Sequence, residues 1–320
     1  MKRFFILPTI IFMFVFFVGC GRNGESDNLP PDLPDMHVEA PLLWRATSPE
    51  NGQIMYLFGT IHAGDASIYP LPDFIMDAFN RSDYLAVEVN LYNLINDPVA
   101  AMEMALMMMY TDGRTITDEL GEELHAAAVE VITEFDGFEG MPAEVFDIMK
   151  PAFWFQILVD IAVEEAGLSS EYGLDLYFIM AAMERGIEIL EVESVKSQME
   201  MLTGFSPELN AFLIEGSLDI PFAAQALKEL YAAWQRGDEN LIEAMLEYEY
   251  SDMPEELARE YIDAILINRD IEMTRVARSF MAEGRTVFFA VGLAHLVGDD
   301  SVIYLLRQAG YKIERIVPQN

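Results

Sequence analysis

Residues 54–62 read IMYLFGTIH and residues 287–295 read VFFAVGLAH, so an apolar run ends in Gly-x-x-His twice, near opposite ends of the chain. A short unbroken apolar run bounded by turn residues is the pattern of a strand buried on both faces. Gly59 follows Phe58 and Gly292 follows Val291, and His62 and His295 come three residues after those glycines. Proteins of the α/β class present their chemical groups just past strand ends. A glycine there lets the backbone turn sharply or come close to a ligand.

Working outward, Leu42–Thr47 is a second apolar run, separated from Ile54–Thr60 by Ser48-Pro49-Glu50-Asn51-Gly52, which predicts a hairpin or closely paired strands. Phe74, Ala78 and Phe79 at helical spacing predict a helix over Pro72–Ser82, and Tyr84–Val89 is a third strand. Helical patterns then dominate residues 97–282, interrupted by glycines and by one more strand candidate, Ile187–Val192. The chain ends as it began, with strand Thr286–Val291, helix Ser301–Gln308 and strand Tyr311–Ile316. The expected fold is α/β, a core sheet built from both chain ends with a long helical insertion at about 97–282. Within the insertion, Ala101–Met109 is rich in methionine and reads either as a flexible binding surface or as a buried or lid-like helix.

The 320 residues are 52% hydrophobic and carry a formal charge of −35, from 19 Lys+Arg against 54 Asp+Glu. Such a field repels phosphate backbones, which excludes nucleic-acid partners. Lys2 and Arg3 precede an apolar run, Phe4–Val18, and then Gly19-Cys20-Gly21, the layout of a secretory leader. The single cysteine stands where Phe17-Val18-Gly19-Cys20 resembles a bacterial lipobox. Residues 1–19 are therefore expected to be a lipoprotein signal peptide and Cys20 the acylated start of the mature protein; an uncleaved anchor is the alternative. Each buried methylene of an acyl chain contributes about 0.8 kcal/mol to membrane binding. Either way the body, expected at 41–320, lies outside the cytoplasm. Residues 20–40 are polar and proline-rich, as suits a tether from lipid to domain, and His37 within them is read as solvated. Lys2 and Arg3 are the only charges among residues 1–19, so the acidity belongs to the folded body.

With one cysteine, any metal site must draw on histidine and carboxylate, and there are four histidines. His62 and His295 share a strand-end context, and Leu85-Ala86-Val87-Glu88-Val89-Asn90 places Glu88 among apolar neighbours at a third strand end. If Glu88 joins the two imidazoles, two nitrogens and a carboxylate suit zinc, iron, cobalt or manganese with positions open for water. His125, in Glu122-Glu123-Leu124-His125-Ala126, reads as a solvated helix face.

Several of these stretches together resemble the TraB/GumN family, relatives of the Tiki proteases. The resemblance rests on Leu42–Pro49 running into Tyr56–His62, on Tyr69–Pro72 and Leu85–Asn90, on Gly173-Leu174-Asp175 and Leu190–Gln198, and on Val291–Gly298 with Leu305-Leu306 and Gly310-Tyr311. It covers residues 41–317. It implies an erythromycin esterase-like and ChaN-like fold whose two pseudo-equivalent halves each supply a Gly-x-x-His, and metal-dependent peptide hydrolysis as in the Tiki branch. By position His62, Glu88 and His295 match the family's site residues. The family's Arg-Asn pair falls on Arg269-Asp270, with Asp standing in place of Asn. The family also includes haem-binding members.

The function expected from residues and resemblance together is that of a lipid-anchored, extracytoplasmic metallohydrolase acting on a peptide or small-molecule substrate. His62 and His295 would hold a divalent metal (Mn, Co or Zn), and Glu88 would ligate it or take the proton of the attacking water. Arg269 would stabilise the developing oxyanion. Asp175 and Glu191 are candidates to orient the imidazoles. The alternative is a non-catalytic protein that captures a peptide, haem or a metal in the same cleft.

Overall fold

The computed structural model describes residues 40–133, 146–251 and 253–318. The leader, Cys20, and the tether with His37 lie outside the described residues. No helix among the described residues is long and apolar enough to cross a membrane.

The protein is a mixed α/β structure around one six-stranded sheet: β1 (Leu43–Thr47), β2 (Ile54–Thr60), β3 (Tyr84–Val87), β4 (Glu188–Glu191), β5 (Val287–Gly292) and β6 (Lys312–Ile316), in the order β4-β3-β5-β2-β1-β6. β2, β5, β3 and β4 run parallel, while β1 is antiparallel to both neighbours, β2 and β6. The β1–β2 turn is too short for the crossover that a parallel pair needs, so the two strands close as a hairpin. Ser48 N–H donates to the Gln53 carbonyl at 2.8 Å, and Gly52 takes φ 72°, where L side chains are strained. Every residue of β5 is buried, and so is every residue of β2 after Ile54, as their unbroken apolar sequences require. The edge strands β4 and β6 carry charged residues, which discourages pairing with other chains.

Parallel pairing of β2 with β5 aligns Gly59 with Val291 and Thr60 with Gly292, so the two Gly-x-x-His motifs stand side by side but slipped by one residue. The central core is aromatic. Phe58 of β2 and Phe288 of β5 pack with Phe79 and with Phe178 of helix Leu174–Arg185, at ring distances from 4.9 to 5.7 Å. On the other side, Trp234 of helix Ile220–Arg236 donates its indole N–H to the Gly59 carbonyl at 2.9 Å. That bond fixes a helix of the insertion against the end of β2. The chain enters β1 beside the same helix, where Ala40 N–H bonds the Gln235 carbonyl at 3.3 Å.

The insertion has a second core around Trp154, Ile157, Leu158, Met199 and Ile214. Helix Pro98–Met107 puts Met104 into it, and Met108 follows, whereas Met102 is 61% exposed and Leu106 51%. The methionine-rich stretch is thus half core and half surface. Strand β3 stops at Val87, two residues before the expected end, because Asn90 caps helix Leu91–Asn96 and the chain turns away. His125 corrects the expectation of a solvated face. Its ring lies edge-on to Trp154 at 5.2 Å, with Nδ1 3.0 Å from Thr117 Oγ1 and Nε2 3.3 Å from Asp147 Oδ1. Gly121, with φ 78° and ψ 163°, breaks the helix just before the Glu122–Ala126 stretch.

Phe178 is fully buried and Met180, two residues on, is 49% exposed. Phe178→Ala should therefore lower stability by about 3–5 kcal/mol in urea unfolding, and Met180→Ala should stay within about 0.5 kcal/mol of the parent.

Candidate active site

Three parallel strands deliver the chemical groups to one end of the sheet. Just past β2, His62 is buried, and its Nδ1 lies 2.7 Å from Asp175 Oδ2. Asp175 comes from the first turn of helix Leu174–Arg185, and its other oxygen accepts the Thr60 hydroxyl at 2.9 Å. Helix and strand end meet closely because Gly173 has no side chain: a Cβ there would stand 2.3 Å from the His62 carbonyl oxygen. The Leu174 N–H bonds the Ile61 carbonyl at 3.0 Å, which completes the seam.

Past β5, His295 Nδ1 lies 2.6 Å from Asp270 Oδ1. A carboxylate only accepts, so each ring carries its proton on Nδ1 and, when neutral, keeps a lone pair on Nε2. The Asp at position 270 makes this contact directly. It sits on helix Asn268–Ala282, entered through one turn of π-helix, Asp263–Ile267, whose Ile265 carbonyl accepts from Arg269 Nη1 at 3.2 Å. Such turns break the ordinary helical register and recur at functional sites. Here Arg269 and Asp270, consecutive in sequence, are both buried.

Past β3, Glu88 is held on both oxygens. Oε1 accepts the Gly292 N–H at 2.7 Å, and Oε2 accepts Arg269 Nη2 at 2.6 Å and Gln198 Nε2 at 3.1 Å. Arg269 also grips Glu193 through Nε at 2.8 Å and Nη2 at 2.7 Å, and Gln198 bonds Glu193 at 2.9 Å. Arg269 is therefore a clamp on two carboxylates, not an oxyanion donor facing the cleft, whose lining does not include it. Glu191 corrects another expectation. It is exposed and accepts the Asn90 N–H at 2.8 Å, away from both imidazoles; β4 ends at this residue, and only past that end does the chain carry Glu193 to Arg269.

Glu193 and Gln198 were missed by residue reasoning, although Leu190-Glu191-Val192-Glu193 repeats the strand-end carboxylate pattern that singled out Glu88. Gln198 carried no such signal. It reaches the site through helix Val195–Leu202, which Ser194 and Ser197 start with a reciprocal capping box.

Burial alone would pull the His62 pKa down, but Asp175 and, further off, Glu88 outweigh it and hold it above the ordinary value. His295 goes the other way, lowered by burial and by the Arg269 charge against the pull of Asp270. Asp270 is raised by burial despite His295 beside it. Glu88, Glu193, Asp175 and Asp270 outnumber the single guanidinium, which makes the site electrostatically receptive to cations.

The chemistry of the donors fits a divalent cation, since each imidazole is backed by a buried carboxylate that fixes its ring and raises its basicity. Gly292 leaves open the place a Cβ would fill, 3.1 Å from Glu88 Oε1 and 3.6 Å from His62 Nε2. The donors do not close on a single point: His295 Nε2 is 3.9 Å from Glu88 Oε1, and among the described residues no three His, Cys, Asp or Glu are set to hold a metal ion.

Two carboxylate-backed imidazoles and a clamped glutamate, met at the strand ends of a mixed sheet, define an α/β protein with a buried His–Glu centre beside an open cleft. The sequence profile of the TraB/PrgY/gumN family matches residues 42–315, and the chain belongs to that family. It is 25% identical to metalloprotease TIKI2 of Danio rerio, over 98% of this chain and 68% of that protein. It is 23% identical to metalloprotease TIKI1 of Homo sapiens, over 81% of this chain and 59% of that protein. It is 21% identical to the uncharacterized protein YbaP of Escherichia coli K12, over 79% of this chain and 87% of that protein. No solved structure matches the chain at a significant level.

The clamp sets an energetic expectation. Arg269→Ala leaves the buried Glu88 and the largely buried Glu193 without their cation and should lower stability by about 3–5 kcal/mol. Arg275→Ala, which removes an exposed pair with Glu272 on the same helix, should change it by less than about 1 kcal/mol. Urea unfolding of the two variants checks the difference.

Proposed function

We propose that this protein is a metal-dependent hydrolase that cleaves peptides outside the cytoplasm, anchored to the membrane by acylation of Cys20. The observation that carries the reading is the pair of imidazoles, each backed by its own carboxylate, converging with Glu88 on one cleft. Relatives named metalloproteases, at 25% and 23% identity, support it. The twin Gly-x-x-His motifs are read as the matching elements of two pseudo-equivalent halves.

His62 Nε2 and His295 Nε2 would hold a divalent cation (Mn, Co or Zn), with Glu88 Oε1 beside them. When bound, such a cation lowers the pKa of a coordinated water and polarises the carbonyl under attack. Asp175 and Asp270 keep the two rings turned so that Nε2, not Nδ1, faces the cleft. Glu88 takes the proton as water adds to the carbonyl carbon, and returns it to the amine as the C–N bond breaks. Arg269 and Gln198 occupy Oε2 of Glu88 and leave Oε1 on the cleft side, where it accepts the Gly292 N–H. Glu193 orients the guanidinium that does this, so it acts as a positioning residue.

Purified protein mixed with a peptide library and Mn, Co or Zn should generate new peptide termini, read by mass spectrometry. His62→Ala and His295→Ala should remove cleavage and also weaken cobalt binding by tenfold or more in titration, on the order expected for a lost ligand set. Tight stoichiometric uptake of a peptide, haem or metal without turnover would assign the cleft to capture instead. Cys20→Ser should leave an unprocessed precursor that takes up no labelled fatty acid; normal processing and labelling would overturn the anchor.

A further inference from the structure

The cleft has two unlike walls. The strand ends contribute His62, His295, Glu88 and Thr60, with Ile61 and Leu293 next to the histidine turns in sequence; the insertion contributes the apolar Leu230, Ile242 and Leu246. Leu230 comes from helix Ile220–Arg236, and Ile242 and Leu246 come from helix Glu239–Ser251. Ile242 and Leu246 are four residues apart and so share one helical face. Ile242 is fully buried, whereas Leu230 and Leu246 are half-buried. The two helices meet at Gly237, whose φ of 62° permits the reversal and whose missing Cβ would stand 1.9 Å from the Ala40 carbonyl oxygen. The apolar wall is therefore held in place by the same chain entry that leads into β1.

Among the described residues no lysine or arginine lines this cleft, and the one carboxylate in its lining, Glu88, lies beside the imidazoles. A substrate side chain seated on Leu230, Ile242 and Leu246 meets hydrocarbon, and an acidic one would lose its hydration there without a lysine or arginine to pair with. An aliphatic or aromatic side chain has no such penalty and gains roughly 25 cal/mol for each Å² it buries.

We infer that Leu230, Ile242 and Leu246 form the specificity pocket of this site, taking an aliphatic or aromatic substrate residue adjacent to the bond cleaved; this rests on the hydrolase reading above. The pocket sets which peptides are cut and leaves the bond-breaking groups untouched. Leu246, half-buried in the lining, limits the size of the side chain taken. Leu241 is 38% exposed, does not line the cleft and serves as a control on the same helix.

The test uses the full chain with Mn, Co or Zn and a peptide library randomised on both sides of each bond. Cleaved sites should be enriched in Leu, Ile, Met or Phe at one flanking position and depleted in Asp and Glu there. Leu246→Trp, which takes up space in the pocket, should lower kcat/KM for a Phe or Leu peptide by about tenfold or more, with an Ala peptide changed less than about threefold. Leu241→Trp should leave both unchanged. Cleavage with a flat profile at both flanking positions, or an equal loss for all peptides in folded Leu246→Trp, overturns the pocket and leaves the hydrolase standing. No cleavage with any of the metals overturns the hydrolase and the pocket together. Should Leu246→Trp not fold, the profile of the unaltered protein decides.

Discussion

The Arg269 guanidinium ties together three segments that are far apart in sequence. It spans Glu88 at the end of β3 and Glu193 just past β4, and it reaches them from the helix that also supplies Asp270. Removing three charges from water is expensive, and a buried ion pair seldom adds net stability over hydrocarbon of the same shape. Its effect lies in geometry. Two carboxylates sharing one planar fork cannot shift independently, and Gln198, bonded to both, closes the ring. The position of Glu88 relative to the imidazoles depends on this clamp.

Close backbone approach is the second constraint. Gly173 lets a helix start directly against the His62 carbonyl, so Asp175 is carried to the imidazole by the first turn of that helix. Gly292 brings a backbone N–H to Glu88 while leaving an opening between Glu88 and His62. At Gly59 a Cβ would stand 2.7 Å from Leu293 Cδ1, so the neighbouring Gly-x-x-His turn packs against this one. The site is built on strand ends and helix starts, which hold side chains more tightly than long loops do.

Much of the fold was legible because strands buried on both faces leave unbroken apolar runs. Ile54–Thr60 is a strand to the residue, Val287–Gly292 is shifted by one residue at each end from the stretch read in sequence, and Lys312–Ile316 starts one residue later. His62, His295 and Glu88 were legible for a related reason, since polar groups directly after such runs must lie at the sheet end. Glu191 and Glu193 were harder to separate. They differ by two positions in one acidic, alternating stretch, and only their surroundings past the end of β4 make one exposed and the other a partner of Arg269. His125 was misread because its neighbours Glu122 and Glu123 are exposed acids, whereas His125 itself packs on Trp154.

By itself, the sequence determined the α/β class, the strands at both chain ends, the acidity and the pairing of each central strand with a histidine. Those properties are local: hydrophobic periodicity, glycine and net charge act over a few residues or over the whole chain at once. Tertiary structure decided which acid serves which base. Asp175 goes to His62 across 113 positions, Asp270 to His295 across 25, and Arg269 to Glu88 across 181. Hydrogen bonds of 2.6 to 2.7 Å between buried groups depend on strand order, a π-turn and a helix start without a side chain. No local pattern in the chain encodes that alignment.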